Sequence, residues 1–176
     1  MKLLTLMFIT LLSHAAWSLE LTSKQLQDHG FMSKAQEFIG FGCKGENLSP
    51  ELTWSDAPEG TKSFAITVYD PDAPTGSGWW HWQVYNLPAS VNRLKAGIAS
   101  DDLPKGAAQG TNDYGVKAFG GACPPKDHGV HHYEFTVYAI KEDKLDIPDG
   151  ASAALIGYML NANALAKHTL TALYKR

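Results

Sequence analysis

Residues 63–74 read Ser63-Phe64-Ala65-Ile66-Thr67-Val68-Tyr69-Asp70-Pro71-Asp72-Ala73-Pro74. The first seven are rich in β-branched and aromatic side chains and carry no charge, which predicts a strand buried on much of both faces. Phe64, Ile66 and Val68 are expected on one of those faces. The prolines that follow stiffen the backbone and leave two carboxylates at the strand end. Working outward, residues 80–86 alternate, with Trp82, Val84 and Asn86 assigned to one face and His81, Gln83 and Tyr85 to the other. Residues 133–140 predict a half-buried strand, with Phe135 and Val137 placed on opposite faces of it. Weaker strands are expected at 51–54, 107–112 and 170–174.

One stretch departs from this rhythm. Residues 152–168 carry Leu155, Ile156, Met159, Leu160, Asn163 and Ala166 at helical spacing, with Ser152 or Asp149 as the cap. Many short strands and one late helix predict a mainly β protein, an antiparallel sandwich with a few short peripheral helices and a C-terminal amphipathic helix. A parallel α/β fold needs a helix between most strands, and the sequence does not supply them.

The start of the chain sets the compartment. Lys2, an apolar run over residues 3–12 and the small residues of Ala16-Trp17-Ser18 predict a signal peptide over residues 1–18, cleaved before Leu19. That run is about half of the ~20 residues a membrane-spanning helix needs. A periplasmic or secreted location is therefore expected, with residues 19–176 as one domain. The net charge of −3 supplies no basic face for phosphate neutralisation and argues against a general nucleic-acid binder. The two cysteines, Cys43 and Cys123, are expected to form a disulfide in an oxidising compartment, two buried thiols being the alternative.

Chemistry-bearing residues concentrate in three places. Asp70 and Asp72 close the first strand. Trp79-Trp80-His81-Trp82 sets one imidazole among indoles. Gly120-Gly121-Ala122-Cys123-Pro124-Pro125 is followed by His131-His132-Tyr133. Glycines let backbone approach a ligand closely, and prolines make a rigid wall without donors. A carboxylate beside an imidazole favours the imidazolium. Imidazolium, tyrosine hydroxyl and glycine N–H groups together suit a phosphate or carboxylate.

The order Asp70-Pro71-Asp72-Ala73-Pro74, then His81-Trp82-x-Val84-x-Asn86-x-Pro88, then Gly120-Gly121-x-x-Pro124-Pro125 with His131-x-Tyr133, resembles the phosphatidylethanolamine-binding protein family. Cys43-x-Gly45-Glu46-Asn47-x-Ser49-Pro50-x-Leu52-x-Trp54 is similar to its bacterial, Raf kinase inhibitor-like branch. The resemblance implies a Greek-key β-sandwich with a small anion pocket at one end. It places Asp70, Trp79, His81, Pro124, His131 and Tyr133 in that pocket, with Asp72, Pro74, Gly121 and Pro125 as rim and frame. His132 departs from the family pattern, in which eukaryotic members commonly carry Arg. The expected role is a binding or modulatory one without cofactor, its ligand a small anionic or phosphorylated group; a protein partner and a homodimer stay open.

The same residues also suit rival chemistries. A hydrolase with Cys123 as nucleophile, His131 or His81 as base and Asp70 as orienter is the alternative, beside inhibition of a secreted hydrolase; the first needs a free Cys123 thiol. A zinc site at His128, His131 and His132 is discounted, because neighbours 131 and 132 point to opposite faces of a strand. No metal is expected.

Overall fold

The computed structural model describes residues 18–176, so the expected signal peptide lies, apart from Ser18, outside the described residues. The stretch 63–70 does form the expected strand, Ser63–Asp70, and it is central in a five-stranded antiparallel sheet. In chain order the strands are β1 (Glu20–Thr22), β2 (Ile39–Gly40), β3 (Cys43–Lys44), β4 (Leu52–Ser55), β5 (Ser63–Asp70), β6 (Trp79–Pro88), β7 (Arg93–Leu94), β8 (Ala108–Gln109), β9 (His131–Ile140) and β10 (Ala164–Tyr174), with one helix, α1 (Ala153–Asn163), before β10. The large sheet has the order β10-β9-β5-β6-β8, a three-stranded sheet the order β1-β4-β7, and β2 pairs with β3.

Why β5 is apolar on both faces follows from its place. Phe64, Ile66 and Val68 join the main core with Leu21, Leu52, Trp54 and Leu94 of the small sheet. The Trp54 and Phe64 rings meet at 5.5 Å. Ala65 faces a second core, with Tyr138, Ile140, Ile156 and Leu160, under α1. The large sheet is thus covered on one face by the small sheet and on the other by the helix. Phe135 and Val137 do not lie on opposite faces as expected. Both belong to the main core, since residues two apart on a strand share a side. Asn86 also departs from its assigned face. It has φ +58°, opposite a register shift between Phe64 and Ile66, and its side chain bonds the backbone of Leu145 in the second core. Leu87 takes the main-core side instead.

The helix is shorter than its pattern. Ser152 caps it by accepting from Leu155 N–H, and it buries Ala153, Ile156, Gly157 and Leu160, while Leu155 is exposed. From Ala164 the chain is extended and pairs along β9, from Ala164↔Ile140 to Tyr174↔His131. Residues 164–168, expected in the helix, are therefore strand. Pairing against β9, with one register shift between Ala164 and Ala166, overrides the good helix propensity of Ala164-Leu165-Ala166-Lys167.

Candidate functional site

Antiparallel pairing brings together the C-terminal end of β5 and the N-terminal ends of β6 and β9, with Asp70 opposite Trp79 and Tyr69 opposite Glu134. Residues far apart in sequence thus meet at one end of the sheet. Segment 120–125 closes over them. Gly120 N–H donates to the His81 carbonyl, and Gly121 N–H donates to Asn47 Oδ1. Glycine is required at 121 because a Cβ there would sit 2.3 Å from the Gln36 carbonyl oxygen. The Cys43–Cys123 disulfide ties this segment to β3, so Cys123 has no free thiol for the hydrolase alternative.

Between these elements lies a pocket of about 230 Å³. Asp70, His81, His131 and Tyr133 line it, as do Trp79 and the prolines Pro74, Pro124 and Pro125. Two of the expected residues do not. Gly121 frames the pocket from behind, its carbonyl accepting from Tyr114 O–H at 3.0 Å. Asp72 turns outward, and its Oδ2 accepts from both the backbone N–H and Nδ1 of His132, at 2.8 and 2.7 Å. Partial burial raises the Asp72 pKa, but the His132 bonds outweigh this and hold it below the usual value. His131 and His132 do point apart: the first is buried and the second exposed.

Sequence reading missed Phe41, Ala73, Thr75 and Tyr114 as lining residues. Tyr114 sits in a polar turn, and neither a strand period nor a motif marks it. Its ring stacks on Phe38 at 3.9 Å and meets His81 edge-on at 5.6 Å.

The polar floor is specific. Asp70 is 2% exposed; its Oδ2 meets His131 Nδ1 at 2.7 Å and its Oδ1 accepts from Asp72 N–H at 2.9 Å. His131 Nε2 lies 2.8 Å from Nδ1 of His128, so one of those nitrogens carries the shared proton. His81 Nδ1 lies 2.7 Å from the Gly120 carbonyl oxygen, which can only accept; Nδ1 therefore bears the hydrogen. Burial pushes the His81 pKa down, against the raising effects of the Gly120 carbonyl and Asp70. The imidazolium expected from the sequence is thus disfavoured at His81. Desolvation, with Asp70 nearby, holds the Tyr133 phenol well above its ordinary value and keeps it protonated. Three buried polar atoms of this lining have no hydrogen-bond partner: Trp79 Nε1, His81 Nε2 and Tyr133 Oη.

Comparison with known proteins shows the family and the fold. Residues 22–175 match the family model described as phosphatidylethanolamine-binding protein. Escherichia coli YbcL is 52% identical over 173 residues, covering 97% of this chain and 94% of its own. Its crystal structure, described as a new member of the mammalian PEBP family, superposes with a TM-score of 0.87 over 90% of this chain and 99% of that one. Escherichia coli YbhB is 44% identical over 89% of this chain and 99% of its own. A Mycobacterium tuberculosis protein named as a lipoprotein, LppC, is 38% identical over 65% of this chain and 53% of its own. With a buried Asp-His floor, a glycine–proline strap and a family match over nearly all the described residues, this chain belongs to the phosphatidylethanolamine-binding protein family.

Proposed function

We propose that the protein is an exported binding module whose pocket holds a small oxyanion, free or carried on a partner. The observation that carries this reading is that Trp79, His81 and Tyr133, which line one pocket, each hold a buried polar atom without a hydrogen-bond partner: Nε1, Nε2 and Oη. Each buried polar group left unsatisfied costs ~1–3 kcal/mol, so three at one site favour a ligand that pairs with all of them. Walls of Phe41, Pro74, Pro124 and Pro125 offer almost no competing donors and suit an apolar part of the same ligand. Export is supported by the disulfide, by the apolar run at residues 3–12 and by the lipoprotein name of LppC. Among the described residues no helix is long and apolar enough to cross a membrane.

Calorimetric titration with phosphate tests the reading. Losing one hydrogen bond to a charged partner costs ~1.5–3 kcal/mol, so His81→Ala should weaken phosphate about ten- to a hundredfold. Unchanged affinity in a folded His81→Ala protein counts against the pocket as the site.

A further inference from the structure

The hydrolase alternative needs His131 as base and Asp70 as orienter, and both are in place. Asp70 Oδ2, a carboxylate oxygen that can only accept, takes the hydrogen of His131 Nδ1 at 2.7 Å, with both side chains almost wholly buried. Within hydrogen-bond reach of His131 Nε2 lies no cysteine sulfur but Nδ1 of His128, at 2.8 Å. The 5.0 Å between the two ring centroids is close to that distance plus two ring radii. The rings therefore meet nearly end to end, as in a hydrogen bond and not as two ligands converging on a metal ion. The turn before β9 holds His128 in this place. Its N–H donates to the Pro125 carbonyl at 3.3 Å, and Asp127 N–H donates to the Arg176 carbonyl at 3.2 Å. Left-handed backbone at Asp127 (φ +62°) and Gly129 (φ +101°) folds His128 back toward the start of β9. With His131 neutral, its Nε2 lone pair accepts the His128 Nδ1–H. His128 Nε2 then carries a lone pair, and the residue is exposed. A nucleophile, a base within reach of its proton and a buried group orienting that base is the arrangement that activates a side chain for covalent attack.

We propose that His128 Nε2 is a nucleophile that takes an acyl group from an activated ester arriving from solvent, with His131 as its base and Asp70 as the positioning residue. The Nε2 lone pair attacks the ester carbonyl carbon, and the bond from that carbon to the alcohol oxygen breaks, so the alcohol leaves as its oxyanion. His128 Nδ1 gives its proton to His131 Nε2. The acylated imidazole is thus neutral, and the positive charge sits on His131 against the buried Asp70 carboxylate, which favours it. Water then attacks the acyl carbon and the acyl–nitrogen bond breaks. The proton held on His131 returns to His128 Nδ1, and the alcohol oxyanion takes the proton that the acid releases. Ester and water have become acid and alcohol, and the three side chains are back in their starting states. This goes beyond the oxyanion reading and does not rest on it. His128 does not line the pocket, so a failure of phosphate to bind leaves it untouched.

The test treats the folded protein at about pH 8, above the ordinary histidine range, with less than one equivalent of diethyl pyrocarbonate and, separately, with p-nitrophenyl acetate. Peptide mass spectrometry locates the adducts, and NMR of the labelled protein reads which ring nitrogen carries them. The exposed His29, whose only charged neighbour is Asp28 among the described residues, is the internal reference. General-base assistance is worth about 10²–10⁴-fold, so His128 should react at least about tenfold faster than His29. Its Nδ1 is engaged by His131, so the adduct should form on Nε2 alone. p-Nitrophenyl acetate should give acetyl-His128, and His128→Gln, a surface change, should reduce nitrophenol release to the background of the other histidines. His131→Gln should bring His128 down to the rate of His29 and open both of its nitrogens to reaction. Labelling of His128 no faster than His29 overturns the proposal, as does reaction at Nδ1 in the unaltered protein. Absence of acetyl-His128, or undiminished fast labelling in His131→Gln, overturns it too. Should His131→Gln not fold, the rate against His29 and the nitrogen modified decide on the unaltered protein alone.

Discussion

Asp70 and Asp72 stand two positions apart in one proline-bounded turn, and burial gives them different work. Asp70 is sealed against His131, both almost wholly buried. Removing one partner of a buried pair strands the other, so Asp70→Ala should cost ~3–5 kcal/mol of stability as well as the pocket. Asp72 is partly exposed beside His132, and pairs of that kind contribute at most about 1 kcal/mol. Asp72→Asn should therefore shift the denaturation midpoint little and leave phosphate affinity within about twofold. A tenfold loss of affinity in Asp72→Asn would put its carboxylate in the site after all. The sign of the pH effect follows from the lowered Asp72 pKa: its small contribution is present above the unfolded value and is lost as pH falls through the folded one.

Strand β9 carries core and site together: its first residue, His131, meets Asp70, while Phe135 and Val137 anchor it in the main core. Phe135 is 1% exposed, and Phe135→Ala should cost ~3–5 kcal/mol by chemical denaturation. A loss under about 1 kcal/mol would mean that β9 is out of register. Strands of this kind were readable because apolar runs and period-two alternation report burial directly, and β5, β6 and β9 all appear where their patterns fall. What local pattern could not give was decided by partners distant in sequence. The helix was over-extended because Ala164 to His168 suit a helix until β9 offers them a ladder. Of the five two- and three-residue strands, β1, β2, β3 and β7 are too short to show a period and exist through their pairing, while β8 falls inside the strand expected at 107–112. Of the site, the motif-bearing residues were legible; Tyr114 and the unpartnered atoms were not, since a loop aromatic has no period and hydrogen-bond satisfaction is a property of three dimensions.

At the scale of the molecule, one covalent link spans 80 residues and fastens the strap that closes the pocket. The chain-entropy account assigns such a loop up to about 4.5 kcal/mol, so reduction should lower stability and loosen the pocket together. Protein taken from its own compartment should accept no thiol label until reduced, and then two, as read by intact mass. Labelling of both cysteines without reductant would contradict the link. Export should leave a mature chain beginning at or within a few residues of Leu19, which N-terminal sequencing of exported protein reads; retained Met1 would contradict it. The central claim is that one end of this β-sandwich is an oxyanion pocket floored by His81, His131, Trp79 and Tyr133, and NMR titration with phosphate near pH 6 tests it most directly. The account predicts saturable shifts of the His81 and His131 ring resonances and of the Trp79 indole N–H, with the Trp54 indole, buried in the main core, unmoved. Should phosphate leave the His81, His131 and Trp79 signals in place while the protein stays folded, the pocket does not bind oxyanions and the account is contradicted.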